Sequence, residues 1–178
     1  MPLTRAIAGA GVNLGLPVAG VWWGLEHTHP SVVFAFAVNW GLMGFAFVAS
    51  LIVPLRLWPA YYRTCAFERR GRVYERLGVR AFQAALRRSR LHGPAPFPRI
   101  VPAADRLGRL ATDTYAPETA HALIFVAVLV IAADALRRGW WDTAAWLLLF
   151  NLVLNAYPVF SMRHVRARIA AVRQSRAA

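Results

Sequence analysis

Long apolar runs alternate with polar, arginine-rich stretches along this chain. A helix needs about 20 mostly apolar residues to cross the hydrocarbon core of a membrane. Four runs reach or approach that length, and we predict them as membrane spans at residues 6–25, 32–55, 120–136 and 140–162. The third is the shortest and alone would suit a buried soluble helix, but its neighbours favour the membrane. The pattern therefore predicts an all-α integral membrane bundle of about four transmembrane helices.

The first run has a competing interpretation as a signal peptide, because Arg5 precedes an apolar stretch that ends in Val18-Ala19-Gly20. We expect a span that is retained. Trp22 and Trp23 lie near its end, and their rings are typical of the boundary between membrane and water.

A basic amphipathic helix is predicted at residues 67–89, between the second and third spans. Arg72, Arg76 and Arg80 recur every four residues on one face. The apolar face comprises Tyr74, Leu77, Ala81, Phe82, Ala85 and Leu86. We expect this helix to lie in the cytoplasmic head-group plane, and Gly78 to interrupt or kink it. Covering the bundle and binding an acidic group of a substrate both remain open roles.

Prolines mark the connection that follows. Four prolines within residues 92–102 forbid a continuous helix and predict an extended segment. A short helix is predicted at residues 103–112, and Pro117 suits the first turn of the third span. The chain is therefore predicted to be one membrane domain with a cytoplasmic loop at residues 56–117 and a basic tail at residues 163–178.

The distribution of charge predicts the orientation of the spans. All 21 basic residues are arginine; 13 of them lie within residues 56–109 and five follow Met162. Because loops rich in positive charge stay in the cytoplasm, we predict a multi-pass protein of the bacterial inner membrane with both termini cytoplasmic. Arg137 and Arg138 oppose this rule locally, but Asp134 is placed to pair with both.

A net charge of +13 and a pI of about 11.6 would also be typical of a nucleic-acid-binding protein. Arginines beside apolar spans bind anionic lipid head groups, so we predict membrane lipids as partners and no nucleic acid. Cys65 is the only cysteine, which excludes an internal disulfide and a cysteine metal cluster. We also expect no metal at His27 and His29, which suit a polar outer loop.

Ionisable side chains beside an apolar span are costly and therefore suggest function. Glu118 and His121 stand one helical turn apart, so the carboxylate could orient the imidazole as a general base. The structural alternative is that Glu118 stabilises the positive N-terminus of its helix. Because the chain reverses at Gly139, we expect His121 and Pro158 at the same membrane face.

The fourth span ends in residues suited to ligand binding. Asn151 and Asn155 lie on one helix face and can hydrogen-bond to a neighbouring helix, with Asn155 also a candidate donor to an oxyanion. Pro158 would free a backbone carbonyl and bend the helix. Guanidinium groups suit phosphate or carboxylate, so four arginines are predicted to hold an anionic group of a substrate: Arg80, Arg163, Arg166 and Arg168.

Three groups of residues carry a resemblance to a known family. They are Phe67-Glu68 with Gly71, Tyr74 and Leu77-Gly78-Val79-Arg80-Ala81-Phe82; Glu118 with His121; and Asn155, Tyr157 and Pro158 with Arg163, Arg166 and Arg168. In this order they resemble small bacterial membrane proteins, the glycosyl-carotenoid acyltransferases, over residues 67–169. The last family motif typically reads Gln-Arg-Tyr-Asn-Arg, whereas here it is Met162-Arg163-His164-Val165-Arg166.

The resemblance implies an enzyme that transfers a fatty acyl group to a glycosylated carotenoid or related lipid. It implies no cofactor beyond a co-substrate acyl donor such as acyl-CoA, with His121 as base, Glu118 as its orienting partner and Arg163 and Arg166 holding the donor. The alternative is a non-catalytic transmembrane subunit of a larger pigment–protein or photosynthetic membrane assembly, with bound pigment or lipid. A lipid or carotenoid carrier is a third class that the sequence leaves open.

Overall fold

The computed structural model describes residues 32–53, 55–88 and 103–177, together with Gly15, Val18, Ala19 and Trp22. The outer loop with His27 and the proline-rich connection after residue 88 therefore lie outside the described residues. So does the predicted first span, apart from the four residues just named. Regular structure in the described part is helical without strands, which confirms the predicted all-α class.

Seven α-helices are described, with short 3₁₀ and π-helical segments between them. In chain order they are α1 (Val32–Ile52), 3₁₀ turns at Pro59–Tyr62 and Ala66–Gly71, α2 (Arg72–Arg76), α3 (Val79–Arg88), α4 (Ala103–Thr112), α5 (Tyr115–Arg137), α6 (Trp141–Asn151), a π-helical segment (Leu152–Ala156) and α7 (Tyr157–Ala177). The predicted short helix at residues 103–112 is confirmed as α4, and Pro117 lies in the first turn of α5 as expected.

Three helical stretches in the described part are long and apolar enough to cross a membrane. They are Val32–Ser50, Leu107–Arg137 and Trp141–Ser175. These stretches contain most of the second, third and fourth predicted spans.

The chain divides into two compact units. The first, here called the apolar unit, comprises Met1–Leu55 and Thr119–Ala156. The second, here called the arginine-rich unit, comprises Arg56–Glu118 and Tyr157–Ala178.

In the apolar unit, α1 packs against α6, and α5 shares their core. Small side chains at the contact, among them Ala35, Ala132 and Ala144, are buried and let the helices approach closely, as membrane helices commonly do. The other buried core residues are Phe34, Val38, Ile124, Val128, Ala135 and Leu147. Burial on three helices therefore fixes which face of each one points inward.

The reversal between α5 and α6 is a tight turn at Gly139, whose φ of +77° suits glycine. The Trp140 N–H donates to the Ala135 carbonyl at 2.9 Å, and the Gly139 N–H donates to Leu136 at 3.0 Å. These two bonds are the pattern of a Schellman cap, which satisfies the last carbonyls of a helix.

The expected pairing of Asp134 with both neighbouring arginines is confirmed. Arg137 Nη2 and Arg138 Nε lie 2.8 Å and 2.6 Å from the two carboxylate oxygens. This carboxylate partly offsets the two positive charges that oppose the predicted orientation.

In the arginine-rich unit, the predicted amphipathic helix at residues 67–89 is two helices. Gly78 has a φ of +81° and separates α2 from α3, so the predicted interruption is confirmed. The break also changes which residues are buried: Val79 is fully buried, whereas Leu77 is 46% exposed. One continuous helical period therefore described the apolar face incorrectly, because a left-handed residue resets the direction of the helix.

The last helix continues well past the predicted end of the fourth span at Met162 and ends at Ala177. Arginine and alanine favour helix, and no proline or glycine follows Pro158. The basic tail is therefore helical through residue 177.

Gly139→Ala should lower the free energy of unfolding by about 1 kcal/mol, because alanine tolerates a positive φ poorly. An added Cβ would meet no atom within 4 Å, so backbone strain is the only expected source of the loss. The measurement is denaturant unfolding in detergent micelles. Gly139→Asn is the matched control and should lose less, since asparagine enters this region more readily. Equal stability of the alanine variant and the wild type would contradict this assignment.

Candidate functional site

A buried ion pair joins the second 3₁₀ turn of the arginine-rich unit to α7. Arg163 Nε donates to Glu68 Oε1 at 2.9 Å and lies 3.1 Å from the Tyr74 hydroxyl. That hydroxyl donates to the same Glu68 oxygen at 2.5 Å, and the Cys65 N–H donates to Glu68 Oε2 at 2.7 Å. Both oxygens of this buried carboxylate are therefore engaged. Burial and the Glu68 hydrogen bond raise the pKa of Tyr74 to about 12, so the phenol stays protonated at neutral pH.

A second buried carboxylate, that of Glu118, lies between two arginines. Glu118 Oε2 forms an ion pair with Arg166 Nη1, and Oε1 lies 3.5 Å from Arg163 Nη1. Arg166 Nη1 also donates to Thr114 Oγ1 at 2.8 Å. The side chains of Glu118 and Arg166 are almost completely buried, so each charge is stabilised by the other rather than by water.

Tyrosine rings flank this pair of arginines. The Arg163 guanidinium lies over the Tyr61 ring at 5.6 Å, and that of Arg166 lies about equally close to Tyr62 and Tyr115. Tyr62 and Tyr115 stack with their centroids 4.0 Å apart. Burial, with the negative charge of Glu118, raises the pKa of Tyr61. The two carboxylates and the two arginines balance each other in charge, and tyrosine rings lie around the two guanidinium groups.

The other two arginines that were predicted to bind substrate lie elsewhere in this unit. Arg80 pairs with Glu75 at 2.8 Å, and Arg168 is exposed and lies beside Gly71. Glu75 also lies 3.2 Å from Nε2 of His164, a position at which this chain departs from the typical family motif. The His164 hydrogen bond, with the charge of Arg80, lowers the pKa of Glu75.

Beside Arg166 the arginine-rich unit has a pocket of about 530 Å³. Its lining includes Arg63, Arg166 and Arg173 together with the stacked rings of Tyr62 and Tyr115, and none of the lining residues that the structure describes is acidic. Arg63 and Arg173 are exposed. The pocket therefore combines unbalanced positive charge with an aromatic wall.

A separate polar cluster lies within the helices of the apolar unit. His121 Nδ1 on α5 lies 3.3 Å from Asn155 Oδ1 in the π-helical segment. Asn155 Nδ2 donates to Asn39 Oδ1 on α1 at 3.0 Å and to Asn151 Oδ1 on α6 at 2.9 Å. All three asparagines are buried, so α1, α5 and α6 are joined by hydrogen bonds as well as by apolar packing.

The π-helical segment brings a backbone carbonyl to the same ring. Pro158 has no N–H to donate to the carbonyl four residues before it, which belongs to Leu154. The Leu154 backbone carbonyl lies close to the His121 ring. The carbonyl that Pro158 was expected to free is therefore one of the groups that face the imidazole. Short π-helical segments often occur at functional sites.

The described contacts differ from two of our expectations. We expected Glu118 to orient His121, but Asn155 is the side chain bonded to His121 Nδ1, and the Glu118 carboxylate pairs with arginines. We also considered Asn155 a candidate donor to an oxyanion. Its amide has two hydrogens, and both are donated to other asparagines, so no hydrogen remains for a substrate oxygen.

Sequence reasoning missed Glu68 and Asn39 as members of these clusters. Glu68 belonged to a family motif but was given no role, although its partner Arg163 was predicted as a substrate ligand. Asn39 is an amide within an apolar run, which is the signal that could have identified it.

Glu118→Gln should destabilise the protein by about 3–5 kcal/mol, because it leaves buried Arg166 without its carboxylate. Asp134→Asn is the matched control; it breaks two exposed ion pairs, with Arg137 and Arg138, and should cost about 1 kcal/mol or less. Unfolding of both variants by denaturant in the same micelles gives the comparison. Similar losses in the two variants would contradict a buried, mutually dependent pair.

Comparison with known proteins gives a match to a protein family. The family model described as glycosyl-4,4'-diaponeurosporenoate acyltransferase (CrtO) matches residues 59–175. This range includes the four paired charges of Glu68, Glu118, Arg163 and Arg166, and also His121 and Asn155. Searches of curated proteins and of solved structures found no match. The match covers more than half of the chain and agrees with the resemblance carried by its motifs. This chain therefore belongs to the CrtO family of glycosyl-4,4'-diaponeurosporenoate acyltransferases.

Proposed function

We propose that this protein transfers a fatty acyl group from an acyl donor to a sugar hydroxyl of a glycosylated carotenoid or a related membrane lipid. The observation that carries the proposal is His121, an imidazole held by buried amides in a membrane-length apolar helix of a chain from an acyltransferase family. An ionisable side chain inside a membrane helix is energetically costly, and side chains of this kind usually have a function.

In the proposed reaction His121 acts as general base. The imidazole takes the proton of the sugar hydroxyl while the hydroxyl oxygen attacks the acyl carbonyl carbon. A new C–O ester bond forms, the bond between the acyl carbon and the donor's leaving group breaks, and the leaving group departs with the electron pair. The imidazolium then returns its proton to the leaving group, so the protein is unchanged at the end of the cycle.

For the anionic part of the donor we propose the pocket of the arginine-rich unit. Of the four arginines predicted to bind substrate, Arg166 lines this pocket, and Arg63 and Arg173 line it too. Because Glu118 neutralises Arg166, the unbalanced charge comes from Arg63 and Arg173. Guanidinium groups bind phosphate through paired hydrogen bonds, and an aromatic wall suits a nucleobase, so a nucleotide-bearing donor such as acyl-CoA fits the lining.

For an alkyl chain we propose a second pocket, in the apolar unit, between α1 and α5. Its volume is about 200 Å³, and it is lined almost wholly by apolar surface, including Leu42, Phe45, Leu123 and Ile124. A pocket without polar groups can hold only an apolar part of a substrate. This lining supports a lipid as one of the two substrates.

His121→Gln should lower the turnover of acyl transfer by about 100-fold to 10,000-fold, which is the usual contribution of a positioned general base. The assay follows a radiolabelled acyl group from donor to glycosylated carotenoid with purified protein in lipid nanodiscs. His164→Gln is the matched control, because its glutamine can still hydrogen-bond to Glu75, and it should keep wild-type turnover. Wild-type turnover in His121→Gln would exclude the base.

Arg173→Gln should raise the KM for a phosphate-bearing donor about tenfold and leave turnover nearly unchanged, because it removes one charged hydrogen-bond donor from binding. Arg88→Gln removes an exposed arginine of α3 that does not line this pocket, and it should leave the KM unchanged. An equal rise of the KM in both variants would show a general effect of charge and contradict the donor pocket.

A further inference from the structure

Three buried asparagines of the apolar unit form a hydrogen-bond chain with a direction. Asn39 lies on α1, Asn151 ends α6 and Asn155 lies in the π-helical segment. A primary amide is asymmetric, since its oxygen only accepts hydrogen bonds and its nitrogen only donates them. The direction of each amide is therefore determined by whatever its nitrogen faces.

Two backbone carbonyls fix the outer amides. Asn39 Nδ2 donates to the Ala35 carbonyl at 3.0 Å, and Asn151 Nδ2 donates to the Phe125 carbonyl at 3.0 Å. A backbone carbonyl cannot donate, so rotating either amide by half a turn would bring two oxygens together. Both amides must therefore present their Oδ1 atoms as acceptors to Asn155.

The central amide is fixed in turn. Asn155 Nδ2 donates its two hydrogens to Asn39 Oδ1 and Asn151 Oδ1, so its own Oδ1 faces His121 Nδ1 at 3.3 Å. Because that oxygen can only accept, this contact favours the ring proton of a neutral His121 on Nδ1, and the Leu154 carbonyl beside the ring can likewise only accept. The lone pair then belongs to Nε2.

We propose that Asn39 and Asn151 are positioning residues that act through Asn155 to hold His121 as its Nδ1–H tautomer, which makes Nε2 the basic nitrogen. This inference rests on the proposed function for its catalytic meaning. Histidine catalysis depends on the tautomer, because only the unprotonated ring nitrogen can accept a proton.

The apolar surroundings strengthen the preference for this direction of the asparagine hydrogen bonds. In an apolar helix no water can replace a lost partner, and a buried amide without a hydrogen bond costs several kcal/mol. Reversing the Asn155 amide would lose two donor bonds and turn its nitrogen toward a ring that already carries a proton. The alternative tautomer is therefore disfavoured by the whole chain of bonds rather than by one contact.

Asn39 also extends the site beyond the family match. It lies on α1, before residues 59–175, yet its side chain fixes the amide that faces His121. The helix that precedes the matched region therefore supplies a group that the matched residues lack. A version of this chain without α1 would keep the base but lose one of the two anchors of its tautomer.

The first experiment is ¹⁵N NMR of protein labelled at histidine and reconstituted in lipid nanodiscs, at a pH where His121 is neutral. The His121→Gln variant identifies the signals of this residue by their loss. We expect Nδ1 to be of the protonated type and Nε2 of the unprotonated type. The opposite assignment in the wild-type protein overturns the inference without any positioning variant, so the test does not depend on how those variants fold.

The second experiment removes the anchors. Asn39→Leu and Asn151→Leu should each lower turnover about tenfold with little change in KM, the loss expected for about one hydrogen bond. The double variant should show both tautomers of His121 by NMR. Gln83→Leu, which removes an amide from α3 in the arginine-rich unit, is the matched control and should change neither readout.

The outcomes separate this inference from the proposed function. An inactive His121→Gln variant with an unchanged tautomer in the double variant would keep the base and overturn the positioning role. Full activity of His121→Gln together with a tautomer that depends on Asn39 and Asn151 would remove the catalytic role and support the hydrogen-bond chain.

Discussion

Polar groups that are buried in apolar helices must find their hydrogen-bond partners inside the protein, because lipid offers none. This constraint accounts for the chain of amides that ends at His121 in the apolar unit. Asn155 sits where three helices can each contribute one group, from Asn39, Asn151 and the imidazole. The core of alanine and branched apolar residues brings those helices close enough for the bonds to form.

The same constraint takes an ionic form in the arginine-rich unit. Glu68 and Glu118 balance Arg163 and Arg166, so four charged side chains are buried or nearly so without net charge. Three residues of the family motifs, Glu68, Tyr74 and Arg163, therefore hold the second 3₁₀ turn, α2 and α7 together. In our proposal this leaves donor binding to the exposed Arg63 and Arg173, which share a pocket with Arg166.

Local features of the fold could be predicted from the sequence. The helix at residues 103–112, the reversal at Gly139 and the Asp134 pairs all depend on residues within a few positions of each other. The break at Gly78 was predicted for the same reason, but its effect on the buried face was not. A glycine signals a break without specifying the direction of the next helix, and Val79 rather than Leu77 became buried.

The partners within the two sites could not be predicted. Arg163 was correctly singled out, but its partner Glu68 is far away in the chain, and spacing along one helix carries no information about such a pair. Asn155 was singled out too, and its contact with Asn39 on α1 depends on how α1 packs against the π-helical segment. The neighbouring pair of Glu118 and His121 suggested a partnership, whereas their bonded partners came from other helices.

The central claim is that this chain esterifies a sugar hydroxyl of a glycosylated carotenoid or related lipid. Mass spectrometry of pigments from cells that make such an acceptor, with and without this chain, tests it most directly. The account predicts that the chain adds one fatty acyl group, with fragmentation placing the ester on the sugar. An acceptor of unchanged mass in cells where the chain is present in the membrane would contradict the account.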